Sequence, residues 1–222
     1  MNNKLQHVVL AALAAVSVAA AFKYFSPRAG ERARVAPRAK DSEYVRSIEN
    51  RDGSTQVRTA GAPLRYSNNN QQFDEATALM EQNDFAGAEK TYRAIFAKTP
   101  DELAAGQGLA TALFHQGRYE DSKEIFQSVL KQDPRFYYAR AGLGAVARVQ
   151  SLYPEAIQQY SLAISENPTF ALSYFGRGVS FLYAGKQIEA EADLNKTLEL
   201  LPATADLAIE ARAYIDRIKA RN

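Results

Sequence analysis

Between residues 69 and 202 the apolar positions recur at helical spacing, stop at a turn-former, and begin again. From Tyr119 onward Tyr119, Ile125, Phe126, Val129 and Leu130 share one helical face, with Glu120, Asp121, Lys123 and Glu124 between them. Leu109, Leu113 and Phe114 mark a similar face just upstream, and Gly117 separates the two. The pattern predicts two helices folded into a hairpin. It then predicts the same hairpin again, because the pattern returns along the chain.

The return has a fixed period. Pro100, Pro134, Pro168 and Pro202 are each 34 residues apart. Twelve positions before them stand Ala88, Ser122, Ala156 and Ala190, all small, and eight before stand Tyr92, Phe126, Tyr160 and Leu194, all large. Ala76, Ala110, Gly144 and Gly178 form a second small column, and Asn83, Gly117, Ser151 and Gly185 a column of turn-formers. Four units follow, at approximately 69–102, 103–136, 137–170 and 171–204. Helices approach closely only where side chains are nearly absent, and a large residue opposite fills the space. Gly144 is therefore expected against Ala156 and Tyr160, and Gly178 against Ala190 and Leu194.

The dipeptides Thr99-Pro100, Asp133-Pro134 and Asn167-Pro168 are expected to cap and open the next helix. Leu201-Pro202 departs from that rule, which moves the expected start of the last helix to Thr204. Residues 203–222 carry Leu207, Ile209, Ala213, Tyr214, Ile215 and Ile218 among charges. They predict a capping helix, since a stacked array needs a solvated end.

The first 68 residues have a different character. Val8 to Phe22 is an apolar run of fifteen residues, nearly half alanine, after a short polar start with Lys4. Residues 1–25 are expected to be a signal peptide, with Ala19 and Ala21 as its small-residue pattern, or an N-terminal membrane anchor. Lys23, Arg28, Arg32, Arg34, Arg38 and Lys40 flank the run and favour retention on the cytoplasmic side. Residues 26–68 are rich in Arg, Ser, Asn and Gly and include three prolines, which predicts a disordered basic linker.

Composition narrows the function. Residues 1–68 carry a net charge of +6 and residues 69–222 one of −4, so the array lacks the positive field that nucleic acid requires. There is no Cys and there are two His, His7 and His115. No nucleophile–base pair, metal-ligand cluster or phosphate-cradling loop stands at a meaningful spacing. The expectation is a non-enzymatic protein with no catalytic residues, no metal and no cofactor. Glu189 and Asp193, one helical turn apart, are expected to be solvated.

The period and the columns Leu143-Gly144, Tyr153, Ala156, Tyr160 and Pro168 resemble the tetratricopeptide repeat, or TPR. The resemblance implies an all-α fold, a right-handed α-solenoid of about four helix-turn-helix units plus the C-terminal capping helix. It implies Ala88, Tyr92, Pro100, Phe126, Pro134, Gly144, Ala156, Tyr160, Pro168, Gly178, Ala190 and Pro202 as structural positions of the repeat. It also implies a concave groove lined by the first helix of each unit. The family's groove positions fall here on Phe73 and Met80, on Gln107, Phe114 and His115, on Tyr138 and Arg148, and on Phe175, Leu182 and Tyr183. That lining is apolar and aromatic, and suits a protein or peptide partner offering an apolar segment.

The expected function is an adaptor or assembly factor at or beyond a membrane, in a bacterial cell envelope. Periplasmic and inner-membrane-anchored placements both fit, as does an anchored form with its repeats on the cytoplasmic side. A structural scaffold acting by self-association or edge docking is the alternative.

Overall fold

The structure is a computed structural model that describes residues 70–220 and the backbone of two paired segments, 46–49 and 55–58. Among these residues nine helices follow in order: α1 (Asn70–Glu81), α2 (Phe85–Lys98), α3 (Leu103–His115), α4 (Tyr119–Gln132), α5 (Tyr137–Val149), α6 (Tyr153–Glu166), α7 (Ala171–Tyr183), α8 (Gln187–Leu200) and α9 (Asp206–Lys219). Each packs on the next, giving four stacked hairpins with α9 laid against the last. The array is an all-α, right-handed α-solenoid.

The predicted signal or anchor at 1–25 and most of the predicted linker lie outside the described residues. Within the linker stretch, β1 (Arg46–Glu49) pairs antiparallel with β2 (Thr55–Arg58), Ser47 opposite Val57 and Ile48 opposite Gln56. No element is predicted there from composition. The signal that points to one is Asp52-Gly53 between two short polar–apolar alternations.

The column of turn-formers has one backbone conformation. Asn83, Gly117, Ser151 and Gly185 all have positive φ, between 62° and 79°. Around Gly117, its N–H donates to the Phe114 carbonyl at 2.9 Å and the Arg118 N–H to the Leu113 carbonyl at 3.0 Å. The same two bonds recur at Asn83, Ser151 and Gly185. This is the Schellman closure, which satisfies the last carbonyls of the first helix. The residue after each turn-former, such as Arg118, is already the N-cap of the second helix. A Cβ on Gly117 would touch nothing within 4 Å, so only the backbone opposes a larger residue. Gly117→Ala is expected to cost about 1 kcal/mol in urea unfolding, and Ser151→Gly to cost nothing.

The proline column does something other than predicted. Thr99, Asp133 and Asn167 are C-caps of the second helices, not N-caps of the following ones. A residue before proline is kept out of the α region, so the helix must end there. The chain then makes a tight turn: the N–H groups of Glu102, Phe136 and Phe170 donate to the carbonyls of Thr99, Asp133 and Asn167 at 3.0–3.2 Å. Asp133 and Asn167 also accept from the N–H two residues on, at 2.9 and 3.1 Å. The next first helix opens only at Leu103, Tyr137 or Ala171. For the last helix, Ala205 is the N-cap and Asp206 the first residue, two positions beyond the expected Thr204.

The core is built from rings laid on glycines. A Cβ on Gly144 would stand 3.0 Å from the Tyr160 ring; one on Gly178 would stand 3.2 Å from Leu194 Cγ and from the Ala190 carbonyl. A second glycine column, Gly108, Gly142 and Gly176, meets the aromatic of the preceding unit. A Cβ on Gly108 would lie 2.6 Å from the Tyr92 ring, and Cβ atoms on Gly142 and Gly176 would overlap Phe126 and Tyr160. Tyr160 therefore lies between the first helix of its own unit and that of the next, so one side chain welds both the hairpin and the stack. Gly144→Leu drives a side chain into that ring and is expected to cost about 1–3 kcal/mol, seen as a lower thermal midpoint.

Candidate functional site: the concave face

Successive first helices (α1, α3, α5, α7, then α9) touch one another, whereas successive second helices make little contact. The stack therefore curves with the first helices inside, and their free sides form a concave face.

The ten residues assigned to that face divide into two groups. Met80, Gln107, Phe114, Arg148 and Phe175 are buried. Phe175, only 2% exposed, belongs to the cluster of Val179, Leu194, Leu207 and Ile215 that joins α7, α8 and α9. Met80 packs with Ala76, Tyr92 and Leu113, and Phe114 with Phe126 and Val146. The apolar three, Met80, Phe114 and Phe175, fill the seams between units and are not presented to a partner. Phe73, His115, Tyr138 and Leu182 are half-buried, and Tyr183 is 36% exposed. What the face offers is therefore narrower than the repeat positions imply.

Aromatic pairs step along its edge. Phe85 stacks on His115 with centroids 4.5 Å apart and planes at 10°, and Tyr153 stacks on Tyr183 at 5.6 Å and 16°. In each pair the first residue of a second helix meets the last turn of the next unit's first helix. Tyr138 lies in a further cluster with Phe136, Tyr137 and Phe170, its ring 4.3 Å from Tyr137 and 5.0 Å from Phe170. Phe85, Tyr119 and Tyr153 are again 34 residues apart, so the period itself carried the signal for this edge.

A family model for the tetratricopeptide repeat matches residues 79–149, within the first three hairpins. These are tetratricopeptide repeats. Among solved structures, the array is similar to the type III secretion chaperone SycD of Yersinia enterocolitica in complex with a peptide of the translocator YopD. Identity is 27% over 55% of this chain and 95% of that one, with a TM-score of 0.51. It is equally similar to PcrH in complex with the chaperone-binding region of PopD (26% identity, 55% and 95% coverage, TM-score 0.51). The TPR protein TTC0263 of Thermus thermophilus shares the fold at 18% identity, over 59% of this chain and 73% of that one, with a TM-score of 0.56. No match was found among curated protein sequences.

Within the TPR array an ion pair closes the fourth unit's hairpin, and the same arginine reaches the third unit. Arg177 on α7 donates to both carboxylate oxygens of Asp193 on α8, at 2.7 and 2.9 Å, and to Ser161 Oγ on α6 at 3.0 Å. Asp193 is thus buried and paired, not solvated as its helix spacing with Glu189 suggests. The small residue at Gly178, next to Arg177 in the chain, is what lets α8 come close enough. Helix periodicity shows which face a carboxylate shares, not what the neighbouring helix brings to it.

His115 is the TPR residue whose titration reports on this face. Burial holds its imidazole down at about 4, against 6.5 for the free group, and its buried Nε2 has no hydrogen-bond partner. The folded form thus resists a proton that the unfolded chain accepts. Its contribution is complete above pH 6.5 and is lost as pH falls toward 4. Relative to pH 8, the wild type is expected to lose about 2 kcal/mol more by pH 5 than His115→Phe, measured by urea unfolding across pH. Among the described residues no three His, Cys, Asp or Glu side chains are grouped to hold a metal. No described helix is long and apolar enough to cross a membrane.

Proposed function

We propose that this protein is a non-enzymatic TPR adaptor that holds an apolar helix or extended segment of a protein partner on its concave face. The observation that carries the reading is the contrast within that face. Most repeat columns are sealed, yet Tyr138, Leu182 and Tyr183 leave part of their surface exposed to solvent beside stacked aromatic pairs. Aromatic side chains at the edge of a preformed groove bind with little loss of rotamer freedom. Two structures of this fold at 26–27% identity were solved with a peptide or binding region of another protein, which supports the same kind of ligand here.

The apolar run from Val8 to Phe22 and its basic flank place the adaptor, in this proposal, at or beyond a bacterial inner membrane. The run either anchors the chain or directs its export. Cell fractionation with N-terminal sequencing of the mature protein separates the two; a full-length chain recovered in the soluble cytoplasm would exclude both.

The groove is tested by cross-linking pull-down from native cells with wild type and Tyr138→Ala/Tyr183→Ala, a pair chosen because neither side chain is a core residue. A partner captured by wild type and lost by the folded variant supports the proposal. Identical partners with both proteins reject it, and a change in oligomer size on removing α9 would favour the self-associating scaffold.

A further inference from the structure

Arg148, in the last turn of α5, is 8% exposed and is the one buried Lys or Arg among the described residues. No carboxylate of those residues stands within 4.0 Å of it, and its Nε is buried with no hydrogen-bond partner. A guanidinium does not shed its proton, so the charge persists. A buried charge lacking its counter-ion is among the costliest features a core can hold.

Its surroundings are phenols. Tyr160 of α6 offers its hydroxyl within hydrogen-bond reach of Arg148. Tyr214 of α9 lies within electrostatic reach and is hydrogen-bonded to Tyr183, the most exposed of the ten assigned groove residues. Burial, reinforced by Tyr183, holds the Tyr214 phenol up at about 12, so both hydroxyls keep their protons at neutral pH. A cation, hydroxyl groups and an exposed edge meet here; Glu210 of α9 bears on Tyr214, but no carboxylate of the described residues stands within 4.0 Å of Arg148. Because residues 69–222 carry a net charge of −4, an acidic ligand is not drawn to this face from a distance. Whatever selects it acts at contact range.

We propose that Arg148, with Tyr183 and Tyr214, binds a carboxylate of the partner's apolar segment, fixing its register across the third and fourth units and α9. This rests on the concave-face reading above and adds a position-specific acidic requirement to it. A guanidinium fork matches a carboxylate in two parallel hydrogen bonds. The carboxylate is either an Asp or Glu side chain or a chain terminus.

The test pans the full chain against two displayed libraries of random 16-residue peptides, one presented internally and one with free C-termini. Wild type should select apolar peptides with Asp or Glu at one fixed offset from the internal library, or terminal carboxylates from the other, which identifies the source. Arg148→Met should lose that preference while its thermal midpoint holds or rises, and Arg148→Lys should keep part of it. In a synthetic pair made from a selected peptide, replacing the acid by its amide should weaken binding to wild type by at least about tenfold. That arm needs no variant to fold. Equal affinity for the pair, or an unchanged acid preference in Arg148→Met, overturns the inference. Apolar peptides selected without any acid, but lost in Tyr138→Ala/Tyr183→Ala, would overturn it and leave the groove intact. No selection by wild type would overturn both.

Discussion

Phe175→Ala is expected to lower the unfolding free energy of the array by about 3–5 kcal/mol, whereas Tyr183→Ala, two turns on in the same helix, costs about 1 kcal/mol. Both positions belong to the groove by repeat register. The structure separates them by what surrounds each ring. Phe175 is 2% exposed and meets Val179, Leu194, Leu207, Ile215 and the edge of Tyr214. Truncation leaves a cavity where three helices converge, and backbones held by two neighbours each cannot collapse to fill it. Tyr183 loses a stacking partner in Tyr153 and a contact to Tyr214, and water takes its place. Urea denaturation of the two variants decides the matter. A mild Phe175→Ala would return that side chain to the groove and show that α9 does not seal the last unit.

The same difference marks the limit of what the chain's pattern discloses. A period shows that positions are equivalent, and equivalence is enough to find every helical hairpin: small columns, large columns and turn positions all follow from spacing. Equivalence fails where the neighbour changes. Phe73 and Phe175 occupy the same repeat position, yet the first is half-buried and the second has α9 beside it. Pro100 and its counterparts were visible as punctuation, but whether a proline closes one helix or opens the next depends on two or three residues of turn geometry. Arg177 and Asp193 sit on different helices with no repeat column between them, so periodicity had no means of pairing them. The glycine column at Gly108, Gly142 and Gly176 was there to be read; its purpose emerges only once the preceding unit's ring is seen lying on it.

The Arg177–Asp193 pair should behave as a unit. Arg177→Ala is expected to cost about 3 kcal/mol, because it strands a carboxylate whose side chain is 9% exposed. Asp193→Ala should cost less, about 2 kcal/mol, since Arg177 keeps 21% exposure and the flanking faces of Tyr174 and Phe181. The double variant Arg177→Met/Asp193→Leu should return to within about 1 kcal/mol of wild type, as neither charge is then left alone. Urea unfolding of all of these forms gives the coupling directly. Strict additivity would mean that the two groups are solvated in solution and that shape alone holds the fourth unit's two helices together. Coupling of the expected size would instead mean that Ser161, Arg177 and Asp193 fix α6, α7 and α8 as one block. Hydrogen exchange then has a defined expectation: in the single variants, protection falls in α7, α8 and α9 before it falls in α3 and α4. Nearest-neighbour stacks lose their ends first when one interface weakens, and here the weakened interface would be the one beside Arg148, Tyr183 and Tyr214. The pair therefore keeps in place the end of the concave face where the carboxylate is proposed to bind.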